Sequence, residues 1–119
     1  MAWTFNDRTP VYLQIAERIR NEIIGGAYAP DSQIPTVRQL ALTAAVNPNT
    51  VQKALQELEA EGIIYSRATA GRFVTADPEK LKSARDVAAK KLVKDFLSSA
   101  KDLSLSAEEC IKMIEEEAK

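Results

Sequence analysis

The chain has 119 residues, 45% of them hydrophobic, with 16 basic and 17 acidic side chains and a formal net charge of −1. That length suits one small domain with at most an appendage; no run approaches the roughly 20 apolar residues of a membrane span, no signal peptide opens the chain, and the lone Cys110 has no disulfide partner, so a cytoplasmic protein is expected. Enzyme chemistry is not expected either: there is no histidine, Cys110 has no neighbouring base, the acidic residues form no metal-ligand motif, and Gly25-Gly26 starts no phosphate loop, so neither metal nor cofactor is implied.

Residues 1–8 form a short lead. Trp3 and Phe5 alternate in it as in an extended arm laid over an apolar surface of the domain or a dimer partner, with base stacking the lesser alternative. Thr9 is placed to cap a helix that starts at Pro10 and runs to about Ile24. Val11, Ile15, Ile19 and Ile23 give it a buried face, and Gly25-Gly26 ends it. After a turn through Asp31, two short helices follow. Thr36 caps the first, with Gln39 as its reciprocal partner, and Asn47 caps the second, with Pro48 at its first position. Thr43 to Val46 supply the turn between them, without glycine. One apolar stripe holds Val37, Leu40 and Ala41; the other holds Val51, Ala54, Leu55 and Leu58. Two such stripes burying against each other across a short turn make a helix-turn-helix.

Gly62 stops the second of these helices in a left-handed conformation. Residues 63–67 and 72–75 read as strands, with Ala68, Thr69, Ala70 and Gly71 at the tip of a hairpin. Asp77-Pro78 opens a helix to about Leu97, on which Leu81, Ala84, Ala88, Leu92 and Phe96 fall at helical spacing and Val87, Val93 and Leu97 broaden the stripe. Ser98 to Leu105 breaks the periodicity. Ser106 and Glu109 form a capping box for a last helix carrying Cys110, Ile111 and Ile114, and Glu115-Glu116-Glu117 reads as its solvated end. The expected fold is mainly α with a small β-hairpin wing: a winged helix-turn-helix over residues 1–76, then a helical dimerisation hairpin over residues 77–119.

Charge is balanced in the first 75 residues. Arg8, Arg18, Arg20, Arg38, Lys53, Arg67 and Arg72 face Asp7, Glu17, Glu22, Asp31, Glu57, Glu59 and Glu61 in equal number. Position matters more than the sum. Arg38, Lys53, Arg67 and Arg72 lie in the segments that would meet DNA, whereas Glu57, Glu59 and Glu61 sit at the far end of the second helix of the motif.

Five blocks stand in order. They are Pro10-Val11-Tyr12-Leu13-Gln14-Ile15, Pro35 to Ala41, Val46 to Ala54, Leu58 to Ile64, and Gly71 to Val74. Together they cover residues 10–75 and closely resemble the winged-helix domain of GntR-family transcriptional regulators. The tail resembles the YtrA-type subfamily, which carries a small helical C-terminal region. The chain departs from the family pattern at the wing tip, where Ala68 and Ala70 take glycine-like places, at Asp31, where glycine is frequent, and at Arg72, where threonine is common.

The resemblance implies DNA contacts. Arg38 matches the arginine of the family's Pro-Ser-x-Arg motif, which reaches bases or backbone; a surface salt bridge is the structural alternative. Asn49 and Thr50 occupy the first turn of the recognition helix, the part that enters a major groove. Asn47 serves as cap and potential phosphate contact, and Gln52 either reads adenine or is solvated. Lys53, Arg67 and Arg72 suit phosphates or the minor groove, with idle exposure the equal alternative for Arg72, and Gly71 allows close backbone approach. Thr36 completes the candidate set. The implied partners are double-stranded DNA and a second copy joined through Leu81, Ala84, Ala88, Leu92, Phe96, Ile111 and Ile114. The implied function is a repressor on a near-palindromic operator, with no effector indicated. Two alternatives stand beside it: a winged-helix protein-interaction module without DNA affinity, which the neutral charge favours, and a small-ligand sensor with a pocket between the C-terminal helices.

Overall fold

Local chemistry sets most of the element boundaries. A computed structural model describes residues 2–119, with α1 at Val11–Ile24, α2 at Val37–Ala44, α3 at Pro48–Ala60, β1 at Ile64–Arg67, β2 at Gly71–Val74, α4 at Pro78–Asp102 and α5 at Ala107–Glu117. The chain is mainly α with a two-stranded antiparallel wing. It forms two compact units, one ending at Arg85 and the other running Asp86–Lys119.

Helix α1 begins one residue later than its apolar pattern suggests. Pro10 is its N-cap and offers no side-chain acceptor, so Thr9 is not the cap. Gln14 holds this end instead: its Nε2 donates to the carbonyls of Asn6 and Thr9, each at 2.9 Å, and its Oε1 accepts from the Asn6 N–H at 3.1 Å. The arm is thereby laid along the helix, and Trp3 and Phe5 pack on the core.

Helix α2 has the expected capping box between Thr36 and Gln39. It closes on Ala45, whose φ of 58° puts a non-glycine residue in the left-handed region. In α3 the Asn47 side chain accepts from the Asn49 N–H at 2.8 Å and Pro48 fills the first turn. The core joins Ile15, Ile19 and Ile23 of α1, Leu40 of α2, Val51, Leu55 and Leu58 of α3, and Ile64 and Val74 of the hairpin. Each such side chain contributes roughly 1.5–3 kcal/mol by leaving water. Gly62, at φ 78°, turns the chain from α3 into the hairpin.

Strands β1 and β2 pair from Ile64 with Val74 to Arg67 with Gly71. The segment before α2 also pairs with β2. Asp31 N–H donates to the Val74 carbonyl, Val74 N–H to the Ser32 carbonyl and Ile34 N–H to the Arg72 carbonyl, at 2.9–3.0 Å, with a bridge between Gln33 and Phe73. Asp31 tolerates the left-handed backbone there, at φ 63°. At the wing tip Ala68 takes a left-handed position at φ 34° and Gly71 lies at φ 109°; Ala70 keeps a negative φ.

Helix α4 starts at the Asp77 cap, whose Oδ1 accepts from the Glu79 N–H at 3.0 Å. Leu81 and Ala84 pack on the core of the first unit. The helix does not stop near Leu97 but continues to Asp102, because Ser98 to Asp102 contains neither proline nor glycine and Ala100 is buried. Ser104, at φ 59°, ends the run, and the Ser106–Glu109 capping box opens α5. In the second unit Ala100 and Cys110 are the buried hydrophobic residues among those described, while Val87, Leu92, Val93, Phe96, Leu97, Leu103, Ile111, Met113 and Ile114 are all exposed. No described helix is long and apolar enough to cross a membrane.

Candidate nucleic-acid interface

A helix-turn-helix presents polar groups to DNA only if its apolar residues are used elsewhere. Here they are: Val51, Ala54, Leu55 and Leu58 are buried, which leaves the other face of α3 for contact. Asn47 and Asn49 are exposed at its start, whereas Thr50 and Gln52 are partly covered. Asn47 acts as the cap, which directs its oxygen to the backbone and leaves its amide N–H groups outward. The first turn of a helix carries unpaired N–H groups and a partial positive charge, so it favours a phosphate as well as a base edge.

Arg38 lies one residue inside α2, exposed, and makes no ion pair or side-chain hydrogen bond among the described residues. It is not the surface salt bridge of the structural alternative. Thr36 is exposed, but its hydroxyl already accepts from the Gln39 N–H at 3.1 Å. Lys53 is exposed and its ammonium lies 4.2 Å from the centre of the Tyr12 ring, a cation–π contact that ties the recognition helix to α1. The tyrosine of the Pro-Val-Tyr block thus supports a candidate DNA-contacting lysine, a link that only tertiary packing reveals.

The wing uses its two arginines differently. Arg67 spreads over Phe73, with its guanidinium 4.5 Å from the ring centre, and donates to the Tyr65 hydroxyl at 2.9 Å. Tyr65 in turn donates to Asp31 and stacks on Phe73 at 5.9 Å. The hydrogen bond to the Asp31 carboxylate is the main cause that raises the Tyr65 pKa and keeps its proton in place. Arg67 itself stays exposed, a held but outward charge. Arg72 is partly buried and its Nε meets Glu59 Oε1 at 2.5 Å; Ser66 donates to the same oxygen at 2.9 Å. Partial burial pushes the Glu59 carboxyl up, but the Arg72 hydrogen bond, the Ser66 hydrogen bond and the Arg72 charge outweigh it and hold its pKa below the ordinary carboxylate value.

These pairs change the charge balance of the domain. Arg20 forks onto Glu61, with Nε–Oε1 at 2.9 Å and Nη2–Oε2 at 2.6 Å, tying α1 to the C-terminal end of α3. Two of the three glutamates at that end of the recognition helix are therefore matched by arginines of the same unit. Arg38, Lys53 and Arg67 keep charges that no carboxylate neutralises among the described residues. The domain is neutral in sum, but its charges are unequally engaged, and phosphate affinity follows the local charge rather than the sum.

The expected dimerisation residues divide. Leu81 and Ala84 belong to the core of the first unit, and Ala88 is partly covered. Leu92, Phe96, Ile111 and Ile114 are exposed. No group of histidine, cysteine, aspartate or glutamate side chains suited to a metal ion occurs among the described residues.

Comparison with known proteins agrees with this fold. Residues 11–74 match the family model of bacterial regulatory proteins of the gntR family. The HTH-type transcriptional regulator YhcF of Bacillus subtilis is 32% identical over 110 residues, which cover 92% of this chain and 91% of that protein. The HTH-type transcriptional repressor YtrA of the same organism is 40% identical over 67 residues, 56% of this chain and 52% of that protein. Among solved structures, a GntR family transcriptional regulator from Listeria monocytogenes superposes with a TM-score of 0.83 at 34% identity, over 94% of this chain and 98% of that one. The AraR DNA-binding domain in complex with its operator ORX1 superposes with a TM-score of 0.58 at 30% identity, over 63% of this chain and 95% of that one.

Proposed function

The chain belongs to the GntR family of bacterial regulatory proteins, and on that premise we propose that it is a cytoplasmic repressor of the YtrA type that binds a near-palindromic operator as a homodimer. It is a DNA-binding transcriptional regulator and acts by occupancy rather than by catalysis. The carrying observation is the unequal pairing of charge in the first unit. Arg38 stands exposed and unpaired near the start of α2, while Glu59 and Glu61, at the opposite end of α3, are neutralised by Arg72 and Arg20. The AraR DNA-binding domain, which shares this fold, was solved in complex with an operator, and that supports DNA as the partner of this domain.

In this reading α3 enters a major groove with its first turn. Asn49 and Thr50 meet base edges, Arg38 reaches a guanine edge or a phosphate, and Asn47 and the helix N-terminus hold the backbone. Lys53 and Arg67 contribute affinity that depends little on sequence. Arg72 holds the wing against α3 through Glu59 rather than contacting phosphate.

Dimerisation is supported by the second unit. With only Ala100 and Cys110 buried against nine exposed large apolar side chains, it lacks a core of its own, and a second copy supplies the missing cover. Two-fold pairing then presents two recognition helices to half-sites about 34–36 Å apart, or a multiple of that spacing. The test is binding to DNA selected by the protein from a random pool, measured across a salt series. A retained near-palindrome and a steep fall of affinity with salt are expected. A chain that retains no DNA at low salt is instead a protein-interaction module.

A further inference from the structure

Gln33 has no part in the site as read from the sequence, yet among the described residues it makes the one side-chain hydrogen bond that reaches the wing tip. It sits in the strand-like segment before α2, paired with Phe73 of β2. From there its Nε2 donates to the Ala70 carbonyl at 2.8 Å, across 37 positions of sequence. The neighbouring Gly71 leaves room for this contact. A Cβ at that position would lie 2.7 Å from Gln33 Nε2, and the backbone is at φ 109°, where a side chain is strained in any case. Glycine at position 71 is thus set by the backbone, and a side chain there would also displace the Gln33 amide.

We infer that Gln33 is a positioning residue for DNA binding, a clamp that fixes the wing tip relative to the start of α2. The covalent path supports it. Gln33 is three residues before the Thr36 cap and five before Arg38, so one extended segment carries both the clamp and the first DNA-reading helix. The opposite strand of the wing is already held, with Arg67 laid over Phe73 and Tyr65 bonded to Asp31. The tip has its own turn hydrogen bond, Ala70 N–H to the Arg67 carbonyl at 2.7 Å, but among the described residues Gln33 makes the side-chain hydrogen bond that ties it to the segment before α2, and Ala68, Thr69 and Ala70 are exposed. A tip held in advance loses less freedom on entering a groove, so the contact raises affinity without touching DNA.

This inference rests on the DNA-binding reading, and the experiment separates the two. Gln33→Ala and Gln33→Glu are compared with the wild type in the full chain, and backbone order at residues 68–71 is measured in the free protein by NMR relaxation. Affinity for the selected DNA is measured alongside, with a hydroxyl-radical footprint of the minor groove. Both variants should lose order at the tip, bind roughly 3–10-fold more weakly and lose minor-groove protection at the wing, with melting temperature and major-groove contacts kept. Glutamate occupies the same space but cannot donate to Ala70, so it should do no better than alanine. Unchanged tip order, or a mobile tip with unchanged affinity, overturns the clamp. A uniform loss of protection with a lowered melting temperature assigns Gln33 to general stability and also overturns it. A wild type that binds no DNA overturns the regulator reading, and the clamp's role in binding with it.

Discussion

Removing the C-terminal region at two different points separates its contribution to folding from its contribution to assembly. A cut after Thr75 looks natural from the strand pattern, but it deletes Leu81 and Ala84, which pack on the core of the first unit, and the Asp77 cap that starts their helix. A fully buried leucine is worth roughly 1.5–3 kcal/mol; partial burial brings Leu81 to about 1–1.5 kcal/mol, and the Ala84 methyl adds about 0.5 kcal/mol. Domains of this size shift by about 4–8 °C per kcal/mol. A chain ending at Arg85 should therefore melt roughly 6–16 °C above one ending at Thr75, by circular dichroism under identical conditions. Sedimentation at micromolar concentration should find both fragments monomeric and the full chain dimeric. Equal melting of the two fragments would refute the packing role of Leu81. A dimeric fragment ending at Arg85 would place the interface outside the second unit and refute the assembly argument.

The remaining predictions concern charge. Lys53→Ala and Arg67→Ala should each lower the salt dependence of DNA binding by about one unit of slope, while Arg72→Ala should keep the slope and lower thermal stability, because Arg72 is engaged with Glu59; salt titrations of the three variants decide this. Glu59, whose pKa is lowered in the fold, stabilises the native state above its unfolded value and ceases to do so as pH falls through its folded value. Below about pH 5 the melting temperature of the wild type should accordingly fall more steeply than that of Glu59→Gln, and parallel curves for the two proteins would remove the proposed coupling.

Short-range chemistry was the most legible part of the sequence. The capping boxes at Thr36–Gln39 and Ser106–Glu109, the Asn47 cap and the left-handed turns at Asp31 and Gly62 each depend on residues a few positions apart, and each stands in the structure. What escaped depends on distant partners. Nothing near Gln33 announces that its segment pairs with β2, and nothing near Arg72 announces Glu59 thirteen positions earlier. The same holds for Arg20 with Glu61 and Lys53 with Tyr12, where helical periodicity gives a face but not a partner. The end of α4 was misplaced for a different reason: loss of apolar periodicity at Ser98 marks a change of environment, not the end of a helix. At the site, the residue types and their spacing were readable, while the division of the arginines into one that is free, one that is stacked and one that is paired required the fold.

The most direct test of the account is the base preference of Arg38→Ala on DNA selected by the wild type, read by competition among single-base variants at fixed salt. The account predicts a loss of about 1–3 kcal/mol confined to one base position in each half-site, with discrimination at the other positions kept. Undiminished affinity and an unchanged preference at every position would contradict it, because the exposed, unpaired arginine of α2 would then have no part in reading DNA.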